Sequence, residues 1–454
     1  MRILQNISRN PGIRRLGDTA ARFRRDDSGG TLIMAAIMFP VMVGAMALGT
    51  EASYRYHQQR KIQHAADTAA HGAAVRKAFG DPVSVYSPVG EQLAVSASWD
   101  QPDGDYFLHE PPAHGDYAGQ ATGPNGGDLI EVELNETVPR LLSRIYSQND
   151  ITVSAFAVAE VQQVRNACVL SLDQAAARAM EFSGTASLTL TGCDIASNSD
   201  APDSVYQGGS SSVTADCINA VGQVDESGGV ALSDPDCPAP RTNQPPTADP
   251  YRDVADIDET QISCSNWNVV TAGPPKATKN INPTETYTDA ASGWTSPAMR
   301  FCSNNVQIQG KINFAPGIYI LDGVDMTVNA NADADGSELM FYLTSGASLK
   351  INGSGELTLS AMTSGPFAPI LFYSDRNNSA TAHQLNGNSS SYFEGAMYFP
   401  NGDLDYNGGA GLADACTQVI ANTVTFTGNS DFQSDCTDYP FKDIVTSALV
   451  QLVD

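Results

Sequence analysis

A mainly β chain carried on a single membrane helix is the fold class this sequence predicts, and three observations support it. Residues Thr31 to Thr50 form twenty positions without a charge behind an Arg-rich start. Glu51 to Val75 then run without an interior Pro and keep helical spacing. From Cys168 onward the texture changes to short alternating apolar pairs separated by Gly, Asn, Asp and Ser. The expected order is an Arg-rich cytoplasmic segment over 1–30, a transmembrane helix over 31–50, a helical stalk over 51–80 and a small α+β unit over 81–165. A right-handed β-helix-like solenoid follows over 166–440, with a Pro-rich excursion at 238–250, and a tail over 441–454 closes the chain.

The apolar run comes first in the argument. A helix rises about 1.5 Å per residue, so twenty residues reach roughly 30 Å, the hydrocarbon thickness of a bilayer. Arg2, Arg9, Arg14, Arg15, Arg22, Arg24 and Arg25 precede it against Asp18, Asp26 and Asp27. Short basic flanks stay cytoplasmic, which places the large remainder outside the cytoplasm. Pro40 falls mid-span, where membrane helices tolerate a kink. A cleaved secretory signal is the rival reading, but its apolar core is usually shorter and no small-residue cleavage site follows. A type IV pilin-like leader would cut after Gly30, and the Glu expected five positions later is Ala35 here.

Beyond the span, Ile62, Ala66, Ala69 and Ala73 fall on one helical stripe, so the helix continues outward as a small-residue amphipathic stalk. The segment Phe23-Arg-Arg-Asp-Asp-Ser-Gly-Gly30, the span with Pro40, the acidic Glu51 and the run Gln63-His-Ala-Ala-Asp-Thr-Ala-Ala70 together resemble the N-terminal region of TadG-like proteins. Those belong, with the smaller TadE-like minor pilins, to the tight-adherence (Flp) pilus assembly machinery. The resemblance covers about residues 20 to 80. It departs from the family at Glu51, where Asp is usual. It implies a pilus-assembly protein of the bacterial inner membrane, single-pass, with a periplasmic or cell-surface ectodomain and other tight-adherence components as partners.

Charge and cysteines describe the exported part. The whole chain carries a formal net charge of −26, and residues 78–454 hold 13 Lys and Arg against 46 Asp and Glu. Such a surface does not bind nucleic acid by neutralising phosphates. All eight cysteines, Cys168, Cys193, Cys217, Cys237, Cys264, Cys302, Cys416 and Cys436, lie in this portion. An even count in an oxidising compartment predicts disulfides, and the lack of any C-x-x-C pair argues against a zinc cluster of cysteines. Eight cysteines allow 105 pairings. Pairing of neighbours is the simplest: Cys168–Cys193, Cys217–Cys237, Cys264–Cys302 and Cys416–Cys436.

In the α+β unit, Leu129 to Leu134 and Ile151 to Ala159 read as strands, with a short helix over Val138 to Tyr146. TadG- and TadE-like chains carry a comparable stretch ending in an Ala-Val-Ala-like strand, matched here at Ala157-Val-Ala159. In the solenoid region the pairs are Leu188/Leu190, Val306/Ile308, Ile312/Phe314, Ile318/Ile320, Met326/Val328, Leu339/Phe341/Leu343, Leu349/Ile351 and Leu357/Leu359. Each pair turns two side chains to one face of a strand. Stacked rungs of a β-solenoid need this pattern, and a jelly roll or sandwich would show similar alternation. The Pro238 to Pro250 stretch reads as an extended excursion between two solenoid blocks. Some TadG-like proteins have a comparable solenoid-like C-terminal region, whereas others carry a von Willebrand A domain. The D-x-S-x-S motif of that domain is missing here.

Candidate chemistry is sparse. Asn331, Asp333 and Asp335 precede Gly336 at alternate positions, like half of a calcium loop. The twelfth position is Tyr342, which excludes an EF-hand and leaves a simpler calcium-binding turn as the expectation. His57, His64 and His71 recur every seven residues, about 10 Å apart along a helix, too far to share one metal. Asp403 with Asp405, and Asp375 with Arg376, are the carboxylate arrangements a carbohydrate-active β-helix would use. No nucleophile motif or phosphate loop accompanies them, and His383 is the solenoid's one histidine. The expectation is therefore a non-enzymatic, membrane-anchored scaffold without a cofactor. The alternative is an exported carbohydrate-binding or carbohydrate-active β-helix with a surface glycan as partner.

Overall fold

The computed structural model describes residues 28–145, 148–265, 270–271, 278–352, 355–379, 382–386, 391–407, 411–428, 431–435 and 441–453. They form two units: residues 1–74, 84–160 and 451–454 make one, and residues 75–83 and 161–450 the other.

In the first unit a long helix, α1 (Ser28–Ala78), and a shorter one, α2 (Val83–Ser96), accompany the strands β1 (Gly104–His109), β2 (Asp128–Val138) and β3 (Ile151–Ser171). β1 and β2 pair antiparallel, and β2 also pairs with β3. The stripe read from the sequence is the buried face of α1: Ile62 is 1% exposed, and Ala66, Ala69 and Ala73 are fully buried. The stalk is therefore built into the α+β unit as far as residue 74. Its small side chains meet α2 at Gly90, where an added Cβ would lie 2.5 Å from Tyr106 Oη and 3.2 Å from Ala73 Cβ. That close approach favours glycine, and α2 holds both Gly90 and Pro88, two turn-forming residues, inside a helix. The short helix expected over Val138 to Tyr146 is a 3-10 turn, Ser143–Ile145, with Tyr146 outside the described residues. Pro139 follows β2 directly and there is too little apolar periodicity beyond it to bury a helix face. The expected tail is the strand Ile444–Leu452. Beyond it the Val453 amide donates to the Val158 carbonyl at 2.9 Å.

The second unit is a β-solenoid of about ten turns. Its strands pair in parallel from turn to turn, which separates it from the antiparallel jelly roll and sandwich that share its alternation. One face stacks residues 264–265, 298–301, 317–322, 339–344, 370–374, 395–399 and 417–421 in that order. The ladder then continues onto residues 169–171, 194–197 and 218–220. Spatial order thus differs from chain order. The last complete turn of the C-terminal block sits on the first turn of the N-terminal block. A second face repeats this, Val424, Thr425 and Phe426 lying opposite Met180, Glu181 and Phe182. A turn column seals the junction: Gly428, Gly184 and Gly209 all have φ near +70°, and a Cβ on Gly184 would stand 3.0 Å from the Gly428 nitrogen.

Every apolar pair read from the sequence is buried, from Leu188 at 1% exposed to Leu359 at 0%. Most line the lumen with Phe341, Phe372 and Phe399, which stack at 5.5 and 6.5 Å between ring centroids. Ile318 and Ile320 instead face outward into a second apolar layer with Tyr251, Val254, Ile257 and Ile262. That layer is the Pro-rich excursion, extended to residue 263 and laid along the ladder as a strap. The strap meets successive turns in reverse order. Thr247 exchanges hydrogen bonds with Asn198, and the Tyr251 hydroxyl donates to Gln418. Tyr398 donates to Asp249 and Tyr373 to Asp256. The Ile257 amide then donates to Tyr342, and Arg300 donates to the Glu259 and Ile262 carbonyls. Burial pushes the Tyr342, Tyr373 and Tyr398 phenols above their ordinary range, so they stay protonated.

Disulfides join adjacent turns: Cys168–Cys193, Cys217–Cys237 and Cys264–Cys302, each with Cα atoms 5.7 Å apart. Neighbour pairing is correct for these three. Cys416 is also disulfide-bonded, and Cys436 lies outside the described residues.

Candidate functional site: the anchor helix and its outward face

Two surfaces of α1 differ in chemistry. Over its first part the apolar side chains point outward all round: Leu32, Met34, Phe39, Val41, Met46 and Leu48 are 67–74% exposed. An 18-residue window here has a mean hydropathy of 2.2. Such a surface is stable only in an apolar medium. Among the described residues it is the single helix long and apolar enough to cross a membrane, and Pro40 lies inside it.

Immediately beyond, the helix becomes polar and is fixed from one side. Glu51 is buried and accepts from the Ser143 amide at 2.7 Å, from the Ser143 hydroxyl, and from Arg55 at 2.9 Å. Gln59 and Gln63 donate to the Ser154 and Phe156 carbonyls of β3 at 2.8 Å, and Lys61 pairs with Glu136 of β2 at 3.0 Å. The Glu at the end of the span thus ties the helix to the turn after β2. The opposite face stays open: Tyr56, His57, Arg60, His64 and His71 are exposed, with the Arg60 guanidinium 5.6 Å from the Tyr56 ring centroid. The three heptad-spaced histidines therefore form part of a polar face.

Residues 29–76 match the family model for Flp pilus-assembly TadE/G-like proteins. The matched segment takes in the exposed apolar span, Glu51, the buried alanine stripe and the open face. Comparison with curated proteins and with solved structures gives no match. The TadE/G-like segment thus supports a pilus-assembly role associated with a membrane.

The other sequence candidates lie in the solenoid. Asn331, Asp333 and Asp335 fall within the strand Met326–Thr344 and point outward at alternate positions. They lie on an extended strand rather than in a turn, with alternate residues about 7 Å apart. Asp333 pairs with Lys311 of the neighbouring turn. Asp403 accepts from Asn422 at 3.1 Å and from Thr423 at 2.8 Å, closing the next corner. Burial, then the nearby Asp403, pushes the Asp405 carboxyl above its ordinary value. Asp375 accepts from Thr344, while Arg376 donates to the Tyr251 and Val254 carbonyls of the strap. Asp333, Asp375, Asp403 and Arg376 are thus occupied in structural bonds.

Sequence reading missed one constellation. His109, His114, Glu131 and Glu133 bring their side-chain donors together in the first unit. The hydrogen bond from His114 to Glu131 pushes the imidazole above its ordinary pKa. The signal was present as H-x4-H followed by E-x-E, but only the antiparallel register of β1 and β2 brings the two halves together.

Proposed function

We propose that this chain is a non-enzymatic scaffold of the tight-adherence (Flp) pilus assembly system. The anchor lies in the bacterial inner membrane with the N-terminus cytoplasmic, and the acidic solenoid stands on the periplasmic or cell-surface side. The observation that carries the reading is the TadE/G-like match falling on the segment whose span is exposed and apolar. The face left to partners is the open side of the stalk around Tyr56, Arg60 and His64, since the alanine side is filled by the chain itself. Docking of other pilus components there would use an aromatic and a guanidinium, side chains that dominate interface energetics.

Deletion of the chain in a piliated host should reduce Flp piliation, and wild-type protein should restore it. A Tyr56→Ala/Arg60→Glu variant should reach the membrane at normal levels yet fail to restore it. Full piliation without the chain would overturn the reading. A reporter active only outside the cytoplasm, fused after residue 80, should be active; inactivity would overturn the orientation.

A further inference from the structure

The antiparallel register sets His109 opposite Glu131, and strand alternation puts Glu133 on the same face. The segment after β1 returns His114 over that face. His109 Nε2 lies 3.2 Å from Glu133 Oε2, while His114 Nδ1 lies 2.7 Å from Glu131 Oε1 and 3.9 Å from Glu133 Oε2. All four ligand atoms fall within 4.8 Å of one another. Tetrahedral zinc, with bonds of about 2.0–2.2 Å to His nitrogen and carboxylate oxygen, needs its ligand atoms about 3.4 Å apart. The observed spacings bracket that value.

The carboxylates are pre-oriented as well as close. Glu131 is fully buried; its Oε2 accepts from the Ala113 amide at 3.0 Å and the His114 amide at 2.8 Å, so Oε1 is the oxygen offered to the cluster. Glu133 is held at Oε1 by the Asn135 amide group at 3.3 Å, which leaves Oε2 facing the imidazoles. Supporting bonds of this kind orient the ligands of protein metal sites. The His114 ring rests 5.5 Å from that of Phe156, giving the site an apolar wall, and its side chain is 45% exposed, giving an ion a way in.

We infer that His109, His114, Glu131 and Glu133 form a zinc site. Two carboxylates balance the charge of the ion and two neutral imidazoles complete four protein ligands, the ligand count of a closed site. The ion would pin the segment between β1 and His114 onto β2, stiffening the unit that holds the stalk.

The test uses the full-length protein in detergent, tag-free and stripped by chelator. Titrated with zinc alone and dialysed, it should retain one ion per chain and gain several degrees in thermal midpoint. His109→Gln/His114→Gln should lose the ion, with affinity lower by about tenfold or more. His57→Gln/His64→Gln/His71→Gln should retain it. To guard against misfolding of the double variant, Glu133→Gln leaves both histidines in place and should weaken zinc to a similar degree. Cobalt should report the same ranking through its tetrahedral absorption bands. No stoichiometric zinc in the wild type, or equal retention by the His109→Gln/His114→Gln variant, would overturn the site.

Discussion

His383 is fully buried in the lumen, its ring 4.4 Å from that of Phe399. Its Nδ1 accepts from the Leu349 amide, while Nε2 has no partner among the described residues. A charged imidazole there would leave water without a compensating acceptor, so burial lowers its pKa from 6.5 to about 4, against a partial upward pull from Asp403 and Asp325. The unfolded chain therefore binds a proton that the folded chain refuses. Stability present above pH 6.5 should fall as pH drops toward 4 and change no further below that. The size is on the order of 3 kcal/mol, since one pKa unit is about 1.4 kcal/mol. Urea midpoints of wild type and His383→Leu across pH 4–8 check this: their difference should track that window. Parallel curves would show that His383 is not held neutral. The composition contained the residue but not this behaviour, because neutrality follows from turns stacked above and below it.

At the scale of elements, the stalk and the strap were both legible as segments but not in what they touch. The stripe of Ile62, Ala66, Ala69 and Ala73 follows from helical periodicity alone, yet its partners, Gly90 and the strands near Glu136 and Phe156, are brought in by later sequence. Packed inside the chain, the stripe responds to bulk as a core does. Ala69→Leu should destabilise the first unit by about 1–3 kcal/mol through overpacking, seen as a lower denaturation midpoint in purified protein. His64→Leu, on the open face, should stay within about 0.5 kcal/mol. Equal effects would mean that the alanine face is packed no more closely than the open one. The strap was visible as a Pro-rich break, and its course was not, because single Tyr and Arg side chains from separate turns hold it. Arg376 is the densest of these, donating to the Val254 carbonyl at 2.8 Å and to the Tyr251 carbonyl while lying 5.5 Å from the Tyr398 ring centroid. Arg376→Ala should leave strap carbonyls unsatisfied, at about 1–3 kcal/mol, and speed proteolysis within residues 247–263. Arg376→Lys should not rescue it, because one ammonium cannot reproduce the planar fork.

At the scale of the molecule, a solenoid was readable from alternation because each rung needs only two inward side chains and a turn. The order of the rungs was not. Nothing in a local pattern says that residues 169–171 rest on 419–421, about 250 positions later. The physical reason for the closure is that an end turn exposes one edge of every sheet, and stacking the two blocks removes a pair of such edges. The junction should then behave as continuous core. Phe182 and Phe426 stack across it, with centroids 5.5 Å apart and planes 9° from parallel, and both are 1% exposed. Each Phe→Ala change alone should cost about 3–5 kcal/mol. Together they should cost less or more than the sum by about 0.5–1.5 kcal/mol, the coupling expected of an aromatic pair in contact. Hydrogen exchange in Phe426→Ala should rise at residues 180–182 as well as at 404–407, because both strands adjoin residues 424–427 in the ladder. Strict additivity, with the exchange change confined to 404–407, would mean that the rungs stack in chain order and that the N-terminal block folds on its own.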